Sequence, residues 1–340
     1  MKTISLGIVG LPNVGKSTLF KALTRQEVHI ANYPFATIDP NMGVVPVPDP
    51  RLQKLSALSK SKKTIPAVVE FYDIAGIVRG AHEGEGLGNQ FLTHIRDTQA
   101  IVIVIRLFSN VDIIHVEHTV DPLRDLEILN AELILKDLET IEKRLEKTES
   151  ESKSGSKDAI ALRDGLLVLR RHLHAGNLLT TLGERHSNIL QNVGMSEMKL
   201  LTAKKQIYLL NGHEKDLPPE LPLRIAELGG DFLTMDLSSD VDLAPLIQKA
   251  YGILGLMSFF TTGEDETRAW TIVRGALAPD AAGEIHSDFE QKFIRAEVVS
   301  YTDLIACGGW QMAKQKGKVR IEGKDYVVQD GDVIVVRHGA

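Results

Sequence analysis

Four short apolar runs punctuate the chain and predict strands at 3–9 (Ile4, Leu6, Ile8, Val9), 67–73, 100–106 (Ala100-Ile-Val-Ile-Val-Ile105) and 206–210 (Gln206-Ile-Tyr-Leu-Leu210). Nearly continuous apolar runs of this length suit a parallel sheet covered on both faces. Helical patterns, such as Thr18 to Leu23, alternate with them. The alternation predicts an α/β fold with a doubly wound, mostly parallel sheet.

Between about 122 and 200 the period changes. Leu126, Leu129, Leu133, Leu138, Ile141 and Leu145 recur at helical spacing, with Glu and Lys on the other face. A polar break, Glu149-Ser-Glu-Ser-Lys-Ser-Gly-Ser156, precedes a second helical run from Ile160 to Leu173. The pattern predicts a helical hairpin inserted into the α/β domain, either a docking arm or a solvated excursion. From about 257 short strand-like runs take over: Val298, Val299, Val319, Ile321, Val327, Val328 and Val333 to Val336. Turns at Glu322-Gly-Lys and Gln329-Asp-Gly-Asp332 separate them, predicting a small β-rich α+β domain. The expected division is therefore 1–122 with 201–256, an insertion at 123–200, and 257–340.

At 340 residues the chain has room for two or three domains. Its net charge of −6 gives no global nucleic-acid footprint, so any RNA contact must be a local patch, and no DNA binding is expected. A single cysteine, Cys307, excludes an intrachain disulfide and fits a reducing cytoplasm. No apolar stretch approaches a membrane span, and no signal peptide is expected.

The chemistry begins at Gly10-Leu-Pro-Asn13-Val14-Gly15-Lys16-Ser17-Thr18, a G-x-x-x-x-G-K-[ST] motif between a predicted strand and helix. Glycines let backbone N–H groups wrap a polyphosphate, with the positive end of the helix behind them. Lys16 reaches β- and γ-phosphate oxygens, and Ser17 is the expected Mg²⁺ ligand. Asp73-Ile-Ala-Gly76 ends the next predicted strand. Asp73 is expected to orient a water on Mg²⁺, and the Gly76 N–H to meet a γ-phosphate. Thr37 stands where such enzymes place a switch threonine that completes the Mg²⁺ shell. Asn211-Gly-His-Glu214 takes the place of the Asn-Lys-x-Asp that reads guanine in P-loop GTPases. Glu214 is longer than Asp and cannot occupy the same place, so the pair Asn211 and Glu214 is expected to favour ATP, with GTP weaker.

The run Asp73-Ile-Ala-Gly-Ile-Val-Arg-Gly-Ala-His-Glu-Gly-Glu-Gly-Leu-Gly-Asn-Gln90 resembles the glycine-rich switch of Obg-type P-loop proteins. With Asn-x-x-Glu, Val47-Pro-Asp-Pro-Arg-Leu52 and Gly323-Lys-Asp-Tyr-Val-Val-Gln-Asp-Gly-Asp332, the chain is similar to the YchF/Obg-like ATPase subfamily over essentially its whole length. That resemblance implies a nucleotide-binding domain, a coiled-coil-like arm that looks short here, and a C-terminal TGS (β-grasp-like) domain associated with ribosome and rRNA contact. Met235-Asp-Leu-Ser-Ser239 departs from the family's base-contact loop and is left outside the expected site.

Ile77 stands where Ras-like enzymes carry a water-orienting glutamine, so hydrolysis is expected to be slow or to use another group. The resemblance places the catalytic role on His115, in Asp112-Ile-Ile-His-Val116; His82, within the switch, is the alternative. Asn13 is a candidate for holding K⁺ near the phosphates. Gly84, Gly86 and Gly88 suit a segment that moves with γ-phosphate occupancy. In the last domain Lys314, Lys316, Lys318, Arg320 and Lys324 follow Trp310, a modest RNA-binding pattern. The expected function is a cytoplasmic, ribosome-associated ATPase switch. A GTPase of the same fold, and a nucleotide-gated binding protein without essential turnover, remain open alternatives.

Overall fold

The computed structural model describes residues 4–25, 41–73, 95–109, 119–153, 156–190, 193–239 and 241–339. Its strands in chain order are β1 (Ser5–Val9), β2 (Met42–Pro46), β3 (Lys63–Ile65), β4 (Val68–Asp73), β5 (Ala100–Arg106) and β6 (Lys205–Asn211). They continue with β7 (Asp231–Met235), β8 (Leu256–Thr262), β9 (Glu266–Val273), β10 (Phe293–Ser300), β11 (Arg320–Glu322) and β12 (Asp332–His338). The first sheet runs β2-β4-β1-β5-β6-β7 and is parallel except for the edge strand β2. Every residue of β1 and β5 is buried, as their unbroken apolar sequences require. Helices α1 (Lys16–Thr24) and α2 (Pro50–Ser59) bury Leu19, Leu23, Leu52 and Leu55 in the same core.

Parallel register brings one set of strand ends to a common edge. Ile8 lies opposite Asp73, Val9 opposite Ile103, Arg106 opposite Asn211, and Asn211 opposite Met235. The loops leaving β1, β4, β5, β6 and β7 therefore converge at the carboxyl edge, where open α/β sheets bind ligands.

The inserted hairpin consists of helices Pro122–Ser152 and Lys157–His174. The six expected apolar positions of the first are all buried, against Leu162, Leu166, Leu169 and Leu173 of the second. The first helix is longer than the polar sequence suggested, continuing through Glu149-Ser-Glu-Ser152. At the hairpin's root Asp137, fully buried, accepts hydrogen bonds from the amides of Leu201 (2.9 Å) and Thr202 (2.7 Å) and from Thr202 Oγ1 (2.7 Å). That carboxylate fixes the turn Leu201–Ala203, from which β6 starts.

The second sheet runs β11-β10-β12-β8-β9-β3 and packs a separate core of Phe259, Trp270, Phe293, Val298 and Ile334. Two details differ from expectation. Val319 and Val328 lie outside the strands, and Val327 forms only an isolated bridge with Leu277. The sheet also recruits β3 from the first segment, Thr64 lying opposite Thr267 in parallel register. Arg51, on α2, adds a second tie: it bridges Asp49 (2.7 Å) and Asp330 (3.0 Å), with its guanidinium 5.2 Å from the Phe260 ring centre.

Candidate nucleotide site

A cavity of about 560 Å³ opens at the carboxyl edge of the first sheet, lined by residues of four loops. Asn13, Gly15, Lys16, Ser17 and Thr18 form one wall; Phe108 and Ser109, Asn211 to His213, and Asp236 to Ser238 form the rest. The volume is within the range of small-ligand sites.

The first wall has the geometry a phosphate loop needs. Gly15 lies at φ +108°, and a Cβ there would sit 2.4 Å from Asn211 Nδ2. A Cβ at Gly10 would lie 2.6 Å from the Val104 carbonyl oxygen. Both positions thus exclude any side chain. Asn13 adopts left-handed backbone (φ +62°), and Val14 turns into the core. No side chain caps the first turn of α1, so its leading amides remain for a ligand at its positive end.

Lys16 is buried, and its Nζ donates to the Leu11 carbonyl at 2.7 Å. Burial lowers its pKa from 10.5 to about 8, while the charge of Asp73 acts in the opposite direction. Asp73, at the end of β4, is shifted up by its own burial and held back by Lys16. Lys16 and Asp73 thus interact electrostatically, although Asp73 is not among the residues that line the cavity. Ser17 and Asp73 are hard oxygen donors, and Mg²⁺ takes few protein ligands because it keeps waters and phosphate oxygens. Among the described residues no cluster of three or more His, Cys, Asp or Glu offers an all-protein cage.

The opposite wall differs from the sequence expectation. Asn211 is 3% exposed, and its amide braces two loops: Nδ2 donates to the Val14 carbonyl (2.8 Å) and Oδ1 accepts from the Leu237 amide (3.1 Å). Its role in the structure is to hold the phosphate loop against the 236–238 loop, more than the base contact the motif suggested. Glu214 does not line the cavity. The chain turns at Gly212 (φ +150°), His213 faces inward, and Glu214 is exposed on the turn Glu214–Asp216. The carboxylate on the cavity wall is instead Asp236, from the segment that the sequence reading left aside. Its Oδ1 accepts from the Ser238 amide (2.9 Å) and Oγ (2.6 Å), and His213 Nε2 lies 3.6 Å from Oδ2. The Ser238 hydrogen bonds, with His213 nearby, hold its pKa below the ordinary value. The available signal was positional: Asp236 directly follows a parallel strand whose last residue pairs with Asn211.

Phe108 was also missed. It is seated by Arg106, 1% exposed, whose Nε donates to the Phe108 carbonyl (2.9 Å) and whose guanidinium lies 4.3 Å from the ring centre. Thr37, Gly76, Ile77, His82, the switch glycines and His115 lie outside the described residues. Asn211→Ala is expected to cost about 2 kcal/mol, through the orphaned buried Leu237 amide and Val14 carbonyl. The same change should loosen nucleotide binding roughly tenfold, an order typical of one lost buried interaction; thermal melts and an ATP titration measure the two effects separately.

A phosphate loop at the carboxyl edge of a doubly wound sheet defines a P-loop nucleoside triphosphatase. Known proteins narrow the class. A family model described as "50S ribosome-binding GTPase" matches residues 5–151, and a YchF GTPase C-terminal model, described as a protein of unknown function, matches 256–339. The ribosome-binding ATPase YchF of Bacillus subtilis (strain 168) is 46% identical, over 98% of this chain and 99% of its own. Its counterpart in Escherichia coli O157:H7 is 43% identical, over 96% and 97%. The solved structure of the Schizosaccharomyces pombe YchF GTPase superposes with a TM-score of 0.82 at 36% identity, covering 98% of each chain. The chain belongs to the YchF family.

Proposed function

We propose that the protein is a cytoplasmic ATPase switch that binds Mg²⁺–ATP, hydrolyses it slowly to ADP and phosphate, and acts at the ribosome. The observation that carries the reading is the cavity in which Lys16, Ser17 and the start of α1 face Phe108 and Asp236. Relatives named ribosome-binding ATPases, aligned over nearly the full chain, support the ribosomal part. No helix among the described residues is long and apolar enough to cross a membrane.

In this reading the loop amides and the Lys16 ammonium hold the β- and γ-phosphates. Ser17, Thr37 and, through water, Asp73 would hold Mg²⁺, which when bound would neutralise charge on the transferring phosphoryl group. Gly76 meets the γ-phosphate, and His115 positions or deprotonates the attacking water. Asn13 holds K⁺ beside the phosphates, and turnover equal in sodium and potassium buffers would remove that part. Phe108 offers an apolar ring to the purine, and Asp236 an acceptor for an exocyclic amino group. Adenine provides such a donor at N6 and guanine at N2, so this contact does not itself separate the purines; the relatives named ATPases support adenine. The C-terminal unit serves as a TGS-type binding module.

The test is calorimetric titration with ATP and GTP near pH 8, followed by ribosome co-sedimentation in each nucleotide state. ATP is expected to bind more tightly; a clear preference for GTP would overturn the choice of nucleotide. Lys16 gives the titration a second readout. In the ligand-free protein its pKa is about 8. A bound polyphosphate restores it, so binding at that pH takes up about half a proton. Affinity therefore falls as pH rises above 8. Binding heats that do not vary with the buffer's ionisation enthalpy would exclude a Lys16 contact.

A further inference from the structure

Three of the five cations in the basic run of the C-terminal unit are paired within their own domain. Lys314 pairs with Glu297 (2.7 Å), Lys318 with Asp303 (3.1 Å), and Arg320 lies near Glu322 (3.5 Å) and Asp332 (3.6 Å). Trp310, which was to supply a stacking face, instead packs against the core. A ribosome-associated protein of net charge −6 needs a cationic surface elsewhere.

One lies at the amino edge of the first sheet, opposite the nucleotide cavity. Residues preceding β5, β6 and β8 and the root of the helical hairpin enclose a cavity of about 430 Å³. Its rim carries Arg96, Lys199, Lys204 and Lys205 against a single lining carboxylate, Asp97. Most of these cations hydrogen-bond neutral groups. Lys204 Nζ donates to the carbonyls of Arg96 (2.9 Å) and Thr98, Lys205 Nζ to that of Ile253 (2.5 Å), and Arg96 to Thr140 Oγ1. Among the described residues only Lys199 reaches a carboxylate, Asp97, at 2.7 Å, and both are largely exposed. Asp137 lies behind this wall, with its oxygens engaged by residues 201 and 202. The floor is apolar: Leu190, Met195, Leu200 and Leu254.

We propose that this cavity is an RNA contact, taking one splayed nucleotide of a single strand, its phosphates between the four cations and its base on the apolar floor. The inference rests on the ribosomal reading and gives it a surface. The space is too small for a duplex, and single-stranded recognition combines a cationic groove with an apolar face for the base. Lys204, like Arg96, is partly buried, whereas Lys199 and Lys205 are exposed. Burial, chiefly, depresses the Lys204 pKa to about 8; Lys199 and Arg96 push the same way, and Asp137 and Asp97 oppose them.

The test measures binding of a short fluorescein-labelled single-stranded RNA to the full chain at several salt concentrations. A Lys199→Glu, Lys205→Glu double variant changes two exposed positions and is expected to bind roughly tenfold more weakly, with a salt slope smaller by about 1.4. Asp97→Asn removes the lining carboxylate and should tighten binding about threefold. RNA affinity and salt slope unchanged in the double variant would overturn the proposal. So would poly-glutamate that binds as tightly as RNA and suffers the same loss. Ribosome co-sedimentation separates the two readings. Failure of the parent protein to sediment defeats the ribosomal function, whereas equal sedimentation of parent and double variant defeats only this site.

Discussion

Lys16→Met is expected to remove ATP binding while leaving the ligand-free protein at least as stable as the parent. The ammonium supplies charge-assisted contacts to phosphate, worth roughly 3 kcal/mol, so affinity should fall at least about a hundredfold. The stability argument has the opposite sign. A lysine whose pKa drops from 10.5 to about 8 is penalised in its charged form in the native state. At neutral pH that penalty is up to about 3 kcal/mol, and it fades as pH rises from about 8 towards 10.5, where the unfolded chain binds more protons than the folded one. Methionine keeps an apolar stem of similar length and forfeits about 1 kcal/mol for the hydrogen bond to Leu11. The net expectation is a melting temperature unchanged or raised without nucleotide, and an ATP-induced rise that has vanished. A large drop in ligand-free stability would contradict the assigned cost of burial.

Asp137→Ala should have the largest effect on stability. It strips the partners from two buried backbone amides and the Thr202 hydroxyl at the root of the hairpin. Unsatisfied buried donors cost about 1–3 kcal/mol each, so a loss of roughly 3–5 kcal/mol is expected in urea unfolding. Burial raises the Asp137 pKa, and the Thr202 and Leu201 hydrogen bonds oppose it. With the folded value above 3.8, its contribution weakens as pH rises from there through the folded pKa and is constant above it. A loss below about 1 kcal/mol would mean that the turn before β6 holds without its anchor.

Legibility in the sequence followed burial. β1, β5 and β6 sit mid-sheet, and their apolar runs are long enough to read almost to the residue. The hairpin's leucines were equally plain, because one face of a long helix repeats its signal several times. β3 spans three residues with an exposed lysine at its start, too little for any period to register. The phosphate loop was legible because its local backbone geometry dictates its glycines. The other wall was not. Whether His213 or Glu214 faces the cavity depends on the turn at Gly212, and Asp236 arrives there only through the pairing of β6 with β7. Phe108 depends on Arg106 beneath it, a contact that apolar patterning cannot express.

The pairing of β3 with β9 means that the second sheet borrows part of its framework from a segment made much earlier. During synthesis the early strand is already present when β9 emerges, a ready template for the late half of the molecule. A fragment starting at Leu256 would instead leave the outer edge of β9 without its mate, open to pairing with other chains. Exchanging the C-terminal halves of two relatives would require residues 63–65 to travel with them.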